Sequence, residues 1–172
     1  NNDANAYVTA LWRIDPSGEN PARRLTRGVE GEAASAFLRD GSLLFTSKRT
    51  VPAAGSDPVK DTTKGLWCLP SDGGEAYVLA RRDGGWEAVA TARDADAVVF
   101  AVPAHPGTAN EQADAAKREA RAKAKVSAIL HTGVPVRFWD HDLGAETTRL
   151  LATSIKTGQT DAELDADGVR PL

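Results

Sequence analysis

The sequence predicts an all-β chain built from repeated antiparallel hairpins, and three observations predict it. A Trp-bearing strand followed by a Gly-containing turn occurs twice. It is Leu11-Trp12-Arg13-Ile14 before Asp15-Pro16-Ser17-Gly18, and Leu66-Trp67-Cys68-Leu69 before Ser71-Asp72-Gly73-Gly74. The return segments are Arg24-Leu25-Thr26 and Tyr77-Val78-Leu79. A second kind of hairpin also recurs, Ala34 to Thr46 around Asp40-Gly41 and Glu87 to Val102 around Asp94-Ala95-Asp96. Finally, taking the loop 50–64 out of the Trp12–Trp67 interval leaves about 40 positions, the length of a four-stranded repeat. Self-similarity at that period marks a β-propeller or another array. The expected architecture is a partial β-propeller of two to three four-stranded blades with one inserted surface α-helix. Its units fall at about 7–49, 65–102 and 126–172, with a loop insertion at 50–64 and a helix insertion at 108–125.

Tyr7 to Ile14 alternates in polarity and is rich in β formers. Asp15-Pro16-Ser17-Gly18 turns it, with Pro pre-set for the second turn position and Gly free to take positive φ. Arg23 to Thr26 is the return strand. Ser35 to Leu38 and Leu43 to Thr46 flank Asp40-Gly41, among the best short hairpin signals. Thr50 to Lys64, with Pro52, Gly55 and Pro58, interrupts the pattern as a loop. Leu66–Leu69 pairs with Ala76–Leu79, and Trp86–Thr91 with Ala97–Val102. The apolar set Val98, Val99, Phe100 and Val102 reads as a strand buried on both faces.

Thr108 to Lys125 differs in kind. From Glu111 to Lys125 it holds no Gly, Pro or β-branched residue, so it is expected to be helical. Thr108 and Glu111 have capping-box spacing, and Lys123 and Lys125 oppose the negative pole of the dipole. Its apolar content is Ala, so an exposed helix lying on the surface is expected. Strands are expected to resume at Val126–Leu130, Val134–Trp139 and Thr147–Leu151. Asp165-Ala166-Asp167-Gly168-Val169 resembles the turn of one more strand pair.

At 172 residues the chain is long enough for one domain with its own core. Hydrophobic residues make up 41% and charged residues 26%, with the signs mixed and a net charge of −3, so nothing points to nucleic acid. No apolar run reaches the length of a membrane span, and no secretory leader opens the sequence. One cysteine, Cys68, cannot form an internal disulfide, which favours a reducing, cytoplasmic setting. There is no Met, and the start Asn1-Asn2-Asp3 leads us to expect a piece of a longer protein.

No residue is assigned as catalytic, cofactor-binding or metal-ligating, and no cofactor is expected. His105, His131 and His141 are the histidines that could serve as metal ligands. Asp140-His141-Asp142 is the densest cluster, but consecutive side chains point in different directions, so a solvated turn is expected. Cys68, between Trp67 and Leu69, reads as a buried structural residue. Trp12, Trp67 and Trp139 are expected to fill space between blades, and Trp86 to begin an inner strand. Asp15, Asp40, Asp72 and Asp96 are explained by turn formation. Lys117, Arg118, Arg121, Lys123 and Lys125 read as a solvated helix face.

The run Leu66-Trp67-Cys68-Leu69-Pro70-Ser71-Asp72-Gly73-Gly74-Glu75 resembles the blade motif of the N-terminal β-propeller in the prolyl oligopeptidase family of serine peptidases. The acylaminoacyl-peptidase and dipeptidyl-aminopeptidase branches are the nearest. Phe37-Leu38-Arg39-Asp40-Gly41-Ser42-Leu43-Leu44-Phe45-Thr46-Ser47-Lys48-Arg49 is similar to that family's second hairpin. The polar helix before Val134-Pro135-Val136-Arg137-Phe138-Trp139-Asp140 is similar as well. The resemblance spans roughly Leu11 to Thr153. It implies that the parent protein pairs the propeller with its own C-terminal α/β-hydrolase domain, whose Ser nucleophile sits on a Gly-x-Ser-x-Gly elbow. That motif is absent from this sequence, so no catalytic residue carries over. The implied role is to gate and scaffold an active site for short or N-acylated peptide substrates. A non-enzymatic TolB-like binding module is the alternative. An open arc of blades exposes edges and apolar faces, so self-association into a homo-oligomer is expected.

Overall fold

The structure is a computed structural model that describes residues 7–49, 64–131, 133–139, 141–155 and 170–171. It is mostly β, and its sheets are antiparallel. The first strands, β1 (Trp12–Arg13) and β2 (Arg23–Arg24), form a short two-stranded ribbon, much shorter than the alternating segment 7–14 suggested.

A four-stranded meander follows, from β3 (Glu32–Phe37) through β4 (Leu43–Ser47) and β5 (Gly65–Leu69) to β6 (Tyr77–Arg81). The β3–β4 turn forms where Asp40-Gly41 required it. Gly41 takes φ +85°, and Asp40 Oδ1 accepts the Ser42 N–H at 2.9 Å. β3 carries a bulge between Ala33 and Ala36, where Ala34 adopts φ +44°. The 50–64 insertion lies outside the described residues except for Lys64. β4 is buried at every position because it is central in its sheet and covered on both faces.

The second four-stranded sheet has the order β7 (Ala88–Thr91), β8 (Ala97–Ala104), β11 (Thr147–Ser154), β12 (Arg170–Pro171). Between β8 and β11 the chain inserts helix α1 (Glu111–Lys123) and a small ribbon of β9 (Arg137–Phe138) and β10 (His141–Asp142). β8 is not buried on both faces. Val98, Phe100, Val102 and Ala104 are buried and the residues between them are half-buried, so one face of the strand turns to the core and the other is only partly covered. No strand forms over 126–130, where the backbone leaves the helix instead of returning to a sheet. The tail turn at 165–169 lies outside the described residues.

One core joins the two sheets. Leu44, Leu66, Cys68 and Leu79 of the first meet Val98, Phe100, Val102 and Leu151 of the second, with Trp86 and Ile155. Trp86 meets Phe100 edge-on at 5.0 Å between ring centres. β3 and β7, the first strand of each sheet, pack beside one another. The hydrogen-bonded sheets thus run from Glu32 to Arg81 and from Ala88 to Pro171. Each combines an Asp-turn hairpin with the hairpin that follows it, so the sheets are out of phase with the sequence repeat, which starts on the Trp strand.

Helix α1 begins later than its sequence suggested. Asn110, not Thr108, is the N-cap, and its side-chain Oδ1 accepts the Ala113 N–H at 2.8 Å. Thr108 instead donates its hydroxyl to the His105 carbonyl at 2.8 Å. Asn110→Ala is expected to lower stability by about 1 kcal/mol, read as a fall in the urea midpoint followed by circular dichroism.

Candidate functional site

Two polar constellations sit at the edges of the core, and a groove lies beside the first ribbon. The larger constellation docks α1 on the second sheet. Asp114 is 2% exposed at its centre. Its Oδ1 accepts the His105 backbone N–H at 2.6 Å and faces His105 Nδ1 at 3.0 Å. Its Oδ2 accepts from Arg82 at 3.2 Å and from Arg118 at 2.9 Å. Arg82 also pairs with Glu111, and Arg118 with Glu146. Burial pushes the Asp114 carboxyl up, but the bonds from the His105 backbone and ring, and then Arg118, prevail and hold it at about 2.

An aspartate orienting a buried imidazole through Nδ1 is half of an acid–base dyad. Among the described residues no hydroxyl or thiol nucleophile is bonded to the His105 ring. Nor do His, Cys, Asp and Glu side chains gather in threes with metal-site geometry among them. Two guanidinium groups already face the three carboxylates. The arrangement is chemically a lock that fastens the helix to the sheet.

The second constellation closes the first sheet. Glu32 is buried and accepts from the Thr26 hydroxyl, the Gly28 N–H at 2.9 Å and Arg49 at 2.6 Å. The Arg49 guanidinium lies 5.0 Å from the Phe45 ring centre and 5.1 Å from that of Trp67. The Ser47-Lys48-Arg49 ending of the second hairpin therefore has a packing role: its arginine bridges β3, β4 and β5.

Where the two sheets meet, a shallow cleft of about 190 Å³ lies between Leu38, Asp40, Thr91 and Ile155. Arg39 and Asp96 face each other across it at 3.8 Å, and both are more than half exposed. The groove beside β1–β2 is larger, about 950 Å³, and arginine-rich.

The candidate residues named in the sequence fall into different environments. Cys68 is fully buried, as expected, and burial pushes its thiol above the ordinary value. Trp67 and Trp86 are buried. Trp12 and Trp139, however, are 56% and 94% exposed, so they do not fill space between sheets. Trp12 lies on the two-residue strand β1 and Trp139 in the turn after the two-residue strand β9. Asp15 and Asp40 serve turns: Asp15 is held at about 2, first by the Asn20 side chain and then by Ser17. His131 is exposed, His141 and Asp142 lie on β10, and Asp140 lies outside the described residues. Arg118 is not solvated but half-buried on Asp114 and Glu146, whereas Lys123 and Lys125 are exposed.

Sequence reasoning missed Arg82, Asp114 and Glu146. A signal for part of the lock was present: Glu111, Asp114 and Arg118 fall at i, i+3 and i+7, one face of a helix. Among the described residues no helix is long and apolar enough to cross a membrane. No protein-family model, no curated protein and no solved structure matches the chain.

Proposed function

We propose that the chain supplies adjacent blades of a β-propeller in a cytoplasmic serine peptidase resembling the acylaminoacyl peptidases, and that it gates and scaffolds the active site for short peptides. One observation carries the reading. Two four-stranded antiparallel meanders follow one another in the chain, and their first strands, β3 and β7, lie side by side over a shared core. That is the relation between neighbouring blades, whose innermost strands surround a central channel. The blade-like hairpin residues quoted above support the family. On this reading the two salt-bridged locks keep the blades rigid, while bond cleavage belongs to an α/β-hydrolase domain of the parent protein.

The purified chain is expected to leave N-acylated amino-acid and dipeptide p-nitroanilides uncleaved, and its reading frame to continue into a domain bearing a Gly-x-Ser-x-Gly elbow. Turnover above the blank, or a frame that adds only further blades, overturns the reading; the second result favours a binding module.

A further inference from the structure

The groove beside the β1–β2 ribbon departs from the charge of the rest of the molecule. The chain as a whole is net negative, yet the ionisable groups lining this groove are Arg13, Arg23, Arg24 and Arg27 against Asp15 alone. The strand register sharpens the anomaly. Arg13 stands directly opposite Arg23, on the same face of the ribbon. Like charges at that position sit roughly 5 Å apart at their Cβ atoms and destabilise the pair. Among the described residues neither arginine has a salt-bridge partner.

Asp15 does not relieve them by contact, because its carboxylate is occupied. Oδ1 accepts from the Ser17 N–H and hydroxyl at 3.0 and 2.8 Å, and Oδ2 from the Asn20 N–H and amide at 3.1 and 2.7 Å. Arg24 turns to the Gly28 carbonyl at 2.9 Å, while Arg13, Arg23 and Arg27 are exposed among the described residues.

We propose that this groove binds an acidic peptide segment, with carboxylates seated on the Arg13/Arg23 pair. Guanidinium forks match carboxylates bidentately, and clusters of them are a recurrent device for capturing acidic motifs. A peptide fits the groove better than a bare polyanion for two reasons. The groove volume lies at the upper end of that of ordinary ligand sites. Its wall also includes Ile14, 72% exposed, and Pro21, which a peptide's side-chain stems would cover and a phosphate would not. The ribbon has only two strands among the described residues, so an extended segment can add main-chain bonds at an edge.

The test is fluorescence anisotropy of a labelled peptide of alternating Glu and Leu, titrated with the whole chain at low salt, beside its Gln-for-Glu counterpart. The Glu peptide is expected to bind at least about tenfold more tightly than the Gln peptide, and to weaken as salt is raised. Arg23→Glu and Arg13→Ala are each expected to weaken it about tenfold while leaving the urea midpoint unchanged or, for Arg23→Glu, higher, since repulsion becomes attraction. If Arg23→Glu fails to fold, Arg13→Ala decides the matter. Equal binding of the two peptides, or no loss in Arg13→Ala, overturns the proposal. So does tighter binding of tripolyphosphate or of a single-stranded oligonucleotide, either of which reassigns the groove to phosphates.

Discussion

Asp114→Asn is expected to lower the free energy of unfolding by about 3–5 kcal/mol, a large part of what holds a domain of this size folded. The substitution keeps the size of the side chain and removes its charge. It leaves the buried Arg82 and half-buried Arg118 facing a neutral amide, and breaking one partner out of a buried ion cluster is costly because the remaining charge stays desolvated. Urea unfolding followed by tryptophan fluorescence measures it. A fall in midpoint no greater than that of an exposed Asp→Asn change, such as Asp83→Asn, would show that the lock contributes little. The same residue sets a pH dependence. Its carboxyl titrates at about 2 in the folded chain against 3.8 ordinarily, so the unfolded state binds the proton more tightly. The contribution is complete above about pH 4 and is lost as pH falls through 2, on the order of 2 kcal/mol. The stability gap between wild type and Asp114→Asn is therefore expected to narrow below pH 4 and to be flat from there to neutrality.

Phe100→Ala is expected to cost about 3–5 kcal/mol by a different route. Phe100 is fully buried at the centre of the core that joins the two sheets, and Trp86 stands edge-on to it. Truncation removes the transfer energy of the ring, the aromatic pair, and the contacts of the cavity that remains. Trp86 makes the loss visible, since its fluorescence should shift to longer wavelength as water reaches the ring. A measured loss near 1 kcal/mol would mean that the two sheets hold together without this contact. The neighbouring half-exposed Val99, on the opposite face of β8, should tolerate Val99→Ala far better.

What the sequence disclosed and what it withheld divide along the range of the interactions. The Asp40-Gly41 hairpin and the Cys68 strand were legible because turn geometry and apolar runs are written in neighbouring residues. The phase of the sheets was not. β4 pairs with β5 across the 50–64 insertion, and no local signal says whether a Trp hairpin opens one sheet or closes another. Trp12 and Trp139 misled because large aromatics are usually buried, whereas these stand exposed on and beside strands of only two residues. The α1 lock was hidden for a related reason. An Ala-rich helix with charges all round reads as solvated, and only the arrival of Arg82 and Glu146 from distant segments turns one of its faces into a buried contact.

The insertion between β8 and β11 has a kinetic consequence. The first sheet is a run of hairpins, but β11 reaches β8 across residues 105–146 and must close that loop before any ladder bond forms. Closure of a long loop is an entropic cost met ahead of its reward, and it slows the assembly of non-local strands. Helix α1 needs no such closure to form, and once docked through Arg118 on Glu146 it brings the chain back to the threshold of β11. The lock that holds the helix in the native state thus also shortens the search for the last strands, so the second sheet is the late-folding half of the molecule and the helix is its guide.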